Sequence, residues 1–301
     1  MKKIIIKKII LILFINLFSL NISAENDGGL TGAFLNYCNS VLNYSLGRSD
    51  LTNYNDPSSA IENPALLAEC KKSVYLMYSK PFSDFDDINY QSILYNQKLT
   101  NKSGISAGIS LFNVKDIEER NSVGNLLGYY DGKNTILTIG YGYELIKFLY
   151  AGTSVKYVQE KIYNFDREYF AADISGKYHI NEDFDISLIL SNLYSTESKF
   201  DIQKEKLPIK CSAGLGLKII SGLNFQLSAD MKEYQKSIEL GAGAEYIVNK
   251  YFEIRCGYNS RYEEWTAGFG LNSGVLKLDY GFGNNTDLGN THRIGLTYIF
   301  E

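Results

Sequence analysis

Residues 291–300, Thr-His-Arg-Ile-Gly-Leu-Thr-Tyr-Ile-Phe, alternate in a way that only an extended strand can use. Ile294, Leu296, Tyr298 and Phe300 would line one face and Arg293, Gly295 and Thr297 the other, because successive strand side chains point to opposite sides. The same apolar-against-small-or-polar alternation recurs along most of the chain, in segments of about ten residues parted by turn residues. It is legible at residues 73–80, 88–97, 105–114, 135–144, 148–159, 169–178 and 184–193. It resumes at 208–218, 223–231, 238–246, 252–258, 265–271, 276–282 and 292–300. About fourteen such strands, an even number, point to an all-β protein, a transmembrane antiparallel β-barrel.

The connections alternate too. Residues 145–147, 180–183, 219–222, 248–251 and 272–274 are short, whereas 116–133, 160–168, 195–206 and 283–291 are longer. This is the parity of tight periplasmic turns and longer extracellular loops, with both termini in the periplasm. Two faces follow. Leu137, Ile139, Tyr141 and Tyr143 belong to the outward rows, as do Ile209, Cys211, Ala213, Leu215 and Leu217, and Ile238, Leu240, Ala242, Ala244 and Tyr246. Lys156, Asp173, Lys177, Lys210, Lys218, Asp230, Glu239, Glu245, Glu253, Arg255, Lys277, Asp279 and Arg293 fall on the inward rows. Both signs are present there, as in a solvated, ion-paired interior.

The N-terminus has the layout of a cleaved signal peptide over residues 1–24. Lys2, Lys3, Lys7 and Lys8 precede an apolar run, and Ser23-Ala24 supplies small residues before a cut. Residues 25–72 lack clean alternation and read as an N-terminal hatch, leaving 73–301 for the barrel. The net charge of −4, more acidic still once those lysines leave, argues against nucleic acid. Twenty-four tyrosines suit an aromatic girdle at two membrane interfaces. Four cysteines without a C-x-x-C pair, and two histidines, leave no expected metal or thiol-redox site and no cofactor. Cys38 and Cys70 could pair in an oxidising periplasm. His179 and His292 show no serine partner, so a lipase-type enzyme is not expected. The glycine alternations Gly140/Gly142, Gly214/Gly216, Gly241/Gly243 and Gly268/Gly270 fall on the lumen side of strands, whereas phosphate-binding loops open helices.

Residues 46–68 resemble the hatch motif of the FadL-like outer-membrane superfamily, more closely its PorV/PorQ branch. The resemblance is carried by Asn55-Asp56, Ser58-Ser59-Ala60 and Asn63-Pro64-Ala65. Pro64 fixes φ, and Asn63 can bond the backbone two residues on. Later segments, among them Gly152-Thr-Ser-Val-Lys156, Asp173-Ile-Ser-Gly176 and Ile254-Arg-Cys-Gly-Tyr258, are similar to successive family strands. Arg48 stands where a second glycine is usual, and Leu66 where glycine follows Asn-Pro-Ala.

The resemblance implies a non-enzymatic barrel in the outer-membrane lipid. A PorV-type protein would engage secreted proteins or secretion-system components in a type IX-like role. The alternative is a FadL-type channel for long-chain fatty acids or other hydrophobic small molecules, with a wall opening expected near residues 105–114. Candidate binding residues are Asp56, Asn63, Pro64 and Ala65 in the hatch, and Lys210, Arg255 and Arg293 in the lumen.

Overall fold

A computed structural model describes residues 31–53, 56–83, 87–200, 203–234, 237–285 and 289–300. The signal-peptide reading of residues 1–24 and the motif residue Asn55 lie outside them. The wall is a closed barrel of fourteen antiparallel strands. In chain order these are β1 (Ser73–Lys80), β2 (Ile88–Thr100), β3 (Ser103–Arg120), β4 (Leu126–Ile146), β5 (Leu149–Ile162), β6 (Phe165–Asn181) and β7 (Phe184–Ser195). Between them and the second half stands a small hairpin of β8 (Ser198–Phe200) and β9 (Gln203–Glu205), outside the wall sheet and not legible as strand in the sequence. The wall continues with β10 (Lys210–Ile220), β11 (Leu223–Lys232), β12 (Glu239–Asn249), β13 (Phe252–Asn259), β14 (Glu264–Asn272), β15 (Leu276–Asn285) and β16 (Gly289–Ile299).

Sequential strands pair with each other, and β1 closes the ring on β16 from Ser73↔Ile299 to Lys80↔His292. Closure leaves no open sheet edge in hydrocarbon, where an unpaired backbone group costs several kcal/mol. The outward rows are apolar as read: Leu137, Ile139, Tyr141 and Tyr143 are exposed, as are Ile238 and Tyr246. Aromatics ring both ends, with Tyr78, Phe170, Tyr194 and Trp265 near the loops and Tyr143, Tyr178, Tyr246 and Phe300 near the turns. Leu217 differs from its neighbours in being 5% exposed. It lies directly between Phe184 and Phe225 on the flanking strands, which places it under their side chains.

Two expected loops are strand instead. Residues 116–133 continue β3 and β4 as a ribbon that turns only at residues 121–125, and residues 160–168 continue β5 and β6 to a turn at Tyr163 and Asn164. The wall is therefore tall over β3–β6 and short over β13–β15. A bulge at Asp116, with φ 52°, absorbs the one-residue offset between Val114↔Gly132 and Ile117↔Tyr130.

Residues 31–53 and 56–72 lie inside the ring. They form a 3-10 turn at Ala33–Asn36, the short helix α1 (Val41–Ser45) and 3-10 turns at Pro57–Ile61 and Pro64–Glu69. Ser40 caps α1, its hydroxyl accepting from Asn43 N at 2.9 Å.

The membrane reading makes a direct prediction. Ile139 is 61% exposed on an outward row, so Ile139→Arg should cost about 2–4 kcal/mol at the midplane. Heat-modifiable gel mobility checks this: the variant should lose the folded band at a lower temperature than the parent, and Ser106→Ala on the lumen side should not.

Candidate functional site

The hatch and the wall that cradles it form the one large buried assembly inside the ring. The lumen-side glycines make room for it. A Cβ at Gly152 would fall 2.2 Å from Ala65 N, and one at Gly257 would fall 2.2 Å from Gly47 N. The alternating pairs singled out in the sequence serve the same end. Gly140 and Gly142 meet Pro64 and Leu67, Gly214 and Gly216 meet Leu51 and Thr52, and Gly241 and Gly243 meet residues 46–49. Gly268 meets Ser45, while Gly270 gives space to Glu253 and Arg255. Backbone thus approaches backbone where any side chain would intervene.

The hatch motif residues are construction. Asp56 caps the Pro57–Ile61 turn, its Oδ1 accepting from Ser58 N at 3.0 Å and from Ser58 Oγ at 2.6 Å, while Oδ2 accepts from the Ser40 hydroxyl. Asn63 caps the next turn through Ala65 N at 3.1 Å and donates from Nδ2 to Leu51 O at 2.8 Å. Ala65 N also donates to Ser175 Oγ on β6 at 2.9 Å, which ties the Asn-Pro-Ala segment to the wall. Arg48, where the resemblance expects glycine, has φ 61° next to Gly47 at 66°. The left-handed backbone explains the usual glycine. Arg48 holds this conformation with its guanidinium 3.8 Å over the Tyr262 ring and 3.2 Å from Glu264. Leu66 is buried, filling the space that a glycine would leave.

The three lumen candidates are not brought together. Arg255 is fully paired: Nε donates to Glu245 at 3.1 Å, Nη1 to Asp279 at 2.8 Å and Nη2 to Glu253. Lys277 adds a contact to Glu253 at 2.7 Å. Arg293 is 1% exposed, donates Nη1 to Cys38 O and lies 4.0 Å over the Tyr44 ring, so it clamps the hatch backbone. Lys210 alone of the seven candidates lines the internal cavity at the loop end, about 130 Å³, shared with Arg48, Lys156, Asp173, Asp230 and Lys232. Lys156 and Asp173 pair at 2.9 Å and Lys210 lies 4.0 Å from Asp230.

Sequence reasoning missed the second anchor of the hatch. Glu69 accepts from Lys177 Nζ at 2.6 Å and contacts His179 Nε2 at 3.0 Å, while His179 Nδ1 binds Asp185. His179 was legible as an inward residue beside a turn. Its partner, 110 residues earlier in the chain, was not. His292 Nδ1 meets the Tyr280 hydroxyl at 2.8 Å.

Nearer the loop end of the same wall, hatch and barrel share an apolar cluster. Phe34, Tyr90, Phe112, Ile136, Val158, Tyr169 and Leu207 form one buried cluster, with Leu35 and Tyr37 packed against it. Tyr37 stacks on Phe112 at 4.9 Å. The side chains of the first 3-10 turn therefore fill an apolar chamber on the β1–β7 side.

Cys38 and Cys70 are both free thiols. Cys38 Sγ donates to Glu62 at 3.0 Å, and Cys70 packs with Ala60 and Leu67. Burial pushes the Cys70 thiol up to about 11. The expected wall opening at residues 105–114 is also absent, since that stretch of β3 pairs without interruption to both β2 and β4. The irregular sector is β6–β7, where the ladder jumps from Ala172↔Tyr194 to Ile174↔Leu190 around Asn192, φ 55°. There the wall is held by Asn192 N donating to Asp173 at 2.8 Å and Asn192 Nδ2 donating to Pro208 O at 3.0 Å.

No family model matches the sequence, and no curated protein matches it. Solved structures do match the fold. The Ralstonia pickettii toluene transporter TbuX is 12% identical with a TM-score of 0.64, covering 89% of this chain and 100% of that one. The Pseudomonas putida toluene transporter TodX is 10% identical with a TM-score of 0.63, covering 85% and 95%. A Pseudomonas aeruginosa FadL homologue is 11% identical with a TM-score of 0.61, covering 87% and 98%. The chain has the FadL/TodX-type barrel fold.

Two predictions concern the hatch. Gly152→Ala should drive a Cβ into the Pro64–Ala65 backbone and lower stability by about 1–3 kcal/mol, read as an earlier loss of the heat-modifiable band. Asp50 is buried, and burial first, then the Asp56 and Glu245 charges, raise its carboxyl to about 7. Its unfolded value is about 4. A folded value raised above the unfolded one stabilises below pH ~4, and that contribution is lost as pH rises through 7. Thermal unfolding in detergent should therefore fall between pH 5 and pH 8 by an amount on the order of a few kcal/mol. Asp50→Asn should flatten that slope.

Proposed function

We propose that the chain is a hatch-filled outer-membrane channel for the uptake of hydrophobic small molecules, exported behind the leader at residues 1–24 and inserted with its loop end outward. The observation that carries this reading is the apolar chamber. Phe34, Leu35 and Tyr37 occupy a cluster of wall side chains on the β1–β7 side, just below the loop end. A solute entering from outside meets a pocket that the protein itself fills with apolar side chains of the hatch. The 3-10 turn that carries them is fastened at its start, by Gly32 N donating to Glu160 at 3.0 Å and by Thr31 Oγ1 donating to Glu205 and accepting from Arg167, while Phe34 and Leu35 are held by packing. Displacing Phe34 and Leu35 exchanges one apolar contact for another and so costs little, which suits a hydrocarbon or alkyl chain. The opposite side, with Arg255 and its three carboxylates, offers such a solute nothing.

The fold supports the same reading, since it is shared with barrels described as toluene transporters and as a FadL homologue. A PorV/PorQ-like role with secreted proteins rests on short sequence resemblances alone. It is therefore the second reading here, in the reverse of the order the sequence suggested.

Uptake measurements test the proposal. Cells lacking the chain should accumulate toluene or oleate several-fold more slowly than the parent, and the wild-type gene should restore the rate. Phe34→Ala with Leu35→Ala should leave restoration intact or raise it, because the chamber is emptied while the ionic anchors stay. Uptake of glycerol should not change. Equal toluene and oleate uptake with and without the chain overturns the proposal.

A further inference from the structure

The ribbon made by β3 and β4 carries exposed apolar groups where hydrocarbon does not reach. Register across β4, β5 and β6 sets Leu137, Tyr157 and Phe170 in one outward row, the upper rim of the greasy band. The next outward row is Thr135, Gln159 and Glu168, and the one above it is Lys133, Lys161 and Asp166. Lys161 and Asp166 pair at 3.2 Å, and both are about half exposed. Beyond these two rows and the outward Asp131 the surface turns apolar again, with Tyr129 59% and Leu127 62% exposed. At about 3.4 Å per residue, Tyr129 stands roughly 27 Å along the strand beyond Leu137.

The backbone of the same stretch is unmet on one side. The β4–β5 ladder ends at Gly132↔Ile162, whereas the β3–β4 ladder runs on to Arg120↔Leu126. Glu144 N donates to Lys102 O on the β3 side, so even-numbered β4 residues direct their N–H and C=O to β3. Odd-numbered ones, Tyr129 and Asp131 among them, direct theirs towards β5, and past Gly132 those groups have no ladder partner among the described residues. An exposed edge of this kind is a template for another strand. The ribbon is also acidic: Asp116, Glu118, Glu119 and Asp131 outnumber Lys115, Arg120 and Lys133, and Arg120 is held by Glu118 at 2.6 Å.

We propose that the edge of β4 over residues 126–131 receives an added strand from a partner polypeptide, an extended segment that alternates basic and apolar residues. Its backbone would complete the ladder at Tyr129 and Asp131, its apolar side chains would cover Tyr129 and Leu127, and its cations, on the opposite face, would lie on the side of Glu119, which pairs with Gly128. This inference does not depend on the channel reading, since the ribbon stands apart from the hatch and the lumen.

The test uses the full chain in detergent micelles and a capped eight-residue peptide of alternating lysine and valine. Fluorescence anisotropy should show binding that weakens at least about tenfold when alternate peptide amides are N-methylated on the pairing edge, and again with Tyr129→Pro, which removes an edge donor. A glutamate–valine peptide should bind more weakly than the lysine–valine one. Equal affinity of the methylated peptide or of the glutamate peptide would overturn the proposal. So would absence of binding at about 1 mM peptide. A dimer that dissociates as peptide binds would overturn the partner assignment in favour of a second copy of this chain.

Discussion

Hydrocarbon offers no partner to a peptide N–H, and the rest of the architecture follows from that. Each wall strand must find both neighbours, so the sheet closes on itself through β1 and β16. Once it has closed, every residue faces either lipid or lumen, and the alternation in the sequence assigns the sides. The outward rows can then be only apolar in the membrane band, and the charges collect inside. Inside, they survive by pairing: Arg255 with three carboxylates, Lys156 with Asp173, Lys177 with Glu69. Replacing one partner of such a group leaves the other buried and unpaired, which is why these sets act as units.

The hatch solves a second problem. A fourteen-stranded ring is too wide for inward side chains to fill, so the chain fills it with its own N-terminal segment. Close fit requires bare backbone on the wall at the points of contact, and glycines supply it at Gly142, Gly152, Gly243 and Gly257. The result is divided unequally. Most of the hatch is fixed by ions, capped turns and hydrogen bonds to the wall, Asn39 to Tyr90 and Ser110 among them, whereas the side chains of Phe34 and Leu35 are held in their apolar cluster by packing. A solute that prefers apolar surroundings can compete only for the place of those side chains.

How much of this the sequence contained depends on the range of the interaction. Each wall strand was legible because its period-two pattern is local, and β1 was read to the residue. The ribbon over residues 116–133 was not, because Asp116, Gly128, Asp131 and Gly132 are of types that ordinarily mark turns, and only the partner strand shows that Gly128 and Gly132 sit in a ladder and Asp116 in a bulge within it. The pairing of Glu69 with Lys177 and His179, and of Arg48 with Glu264, joins residues 108 to 216 apart, so no local signal reports it. Lys210, Arg255 and Arg293 were placed on the correct face by the alternation, yet what each touches depends on the hatch. Arg48 was noticed as a departure, and its positive φ supplies the reason.

The seam between β1 and β16 joins Ser73 to Ile299. The ring therefore cannot shut until the last strand has been made, and the loop-closure entropy of almost the whole chain falls due at that single step. A chain lacking its last ten residues would lose most of β16 and leave β1 and β15 as open edges, which hydrocarbon does not tolerate.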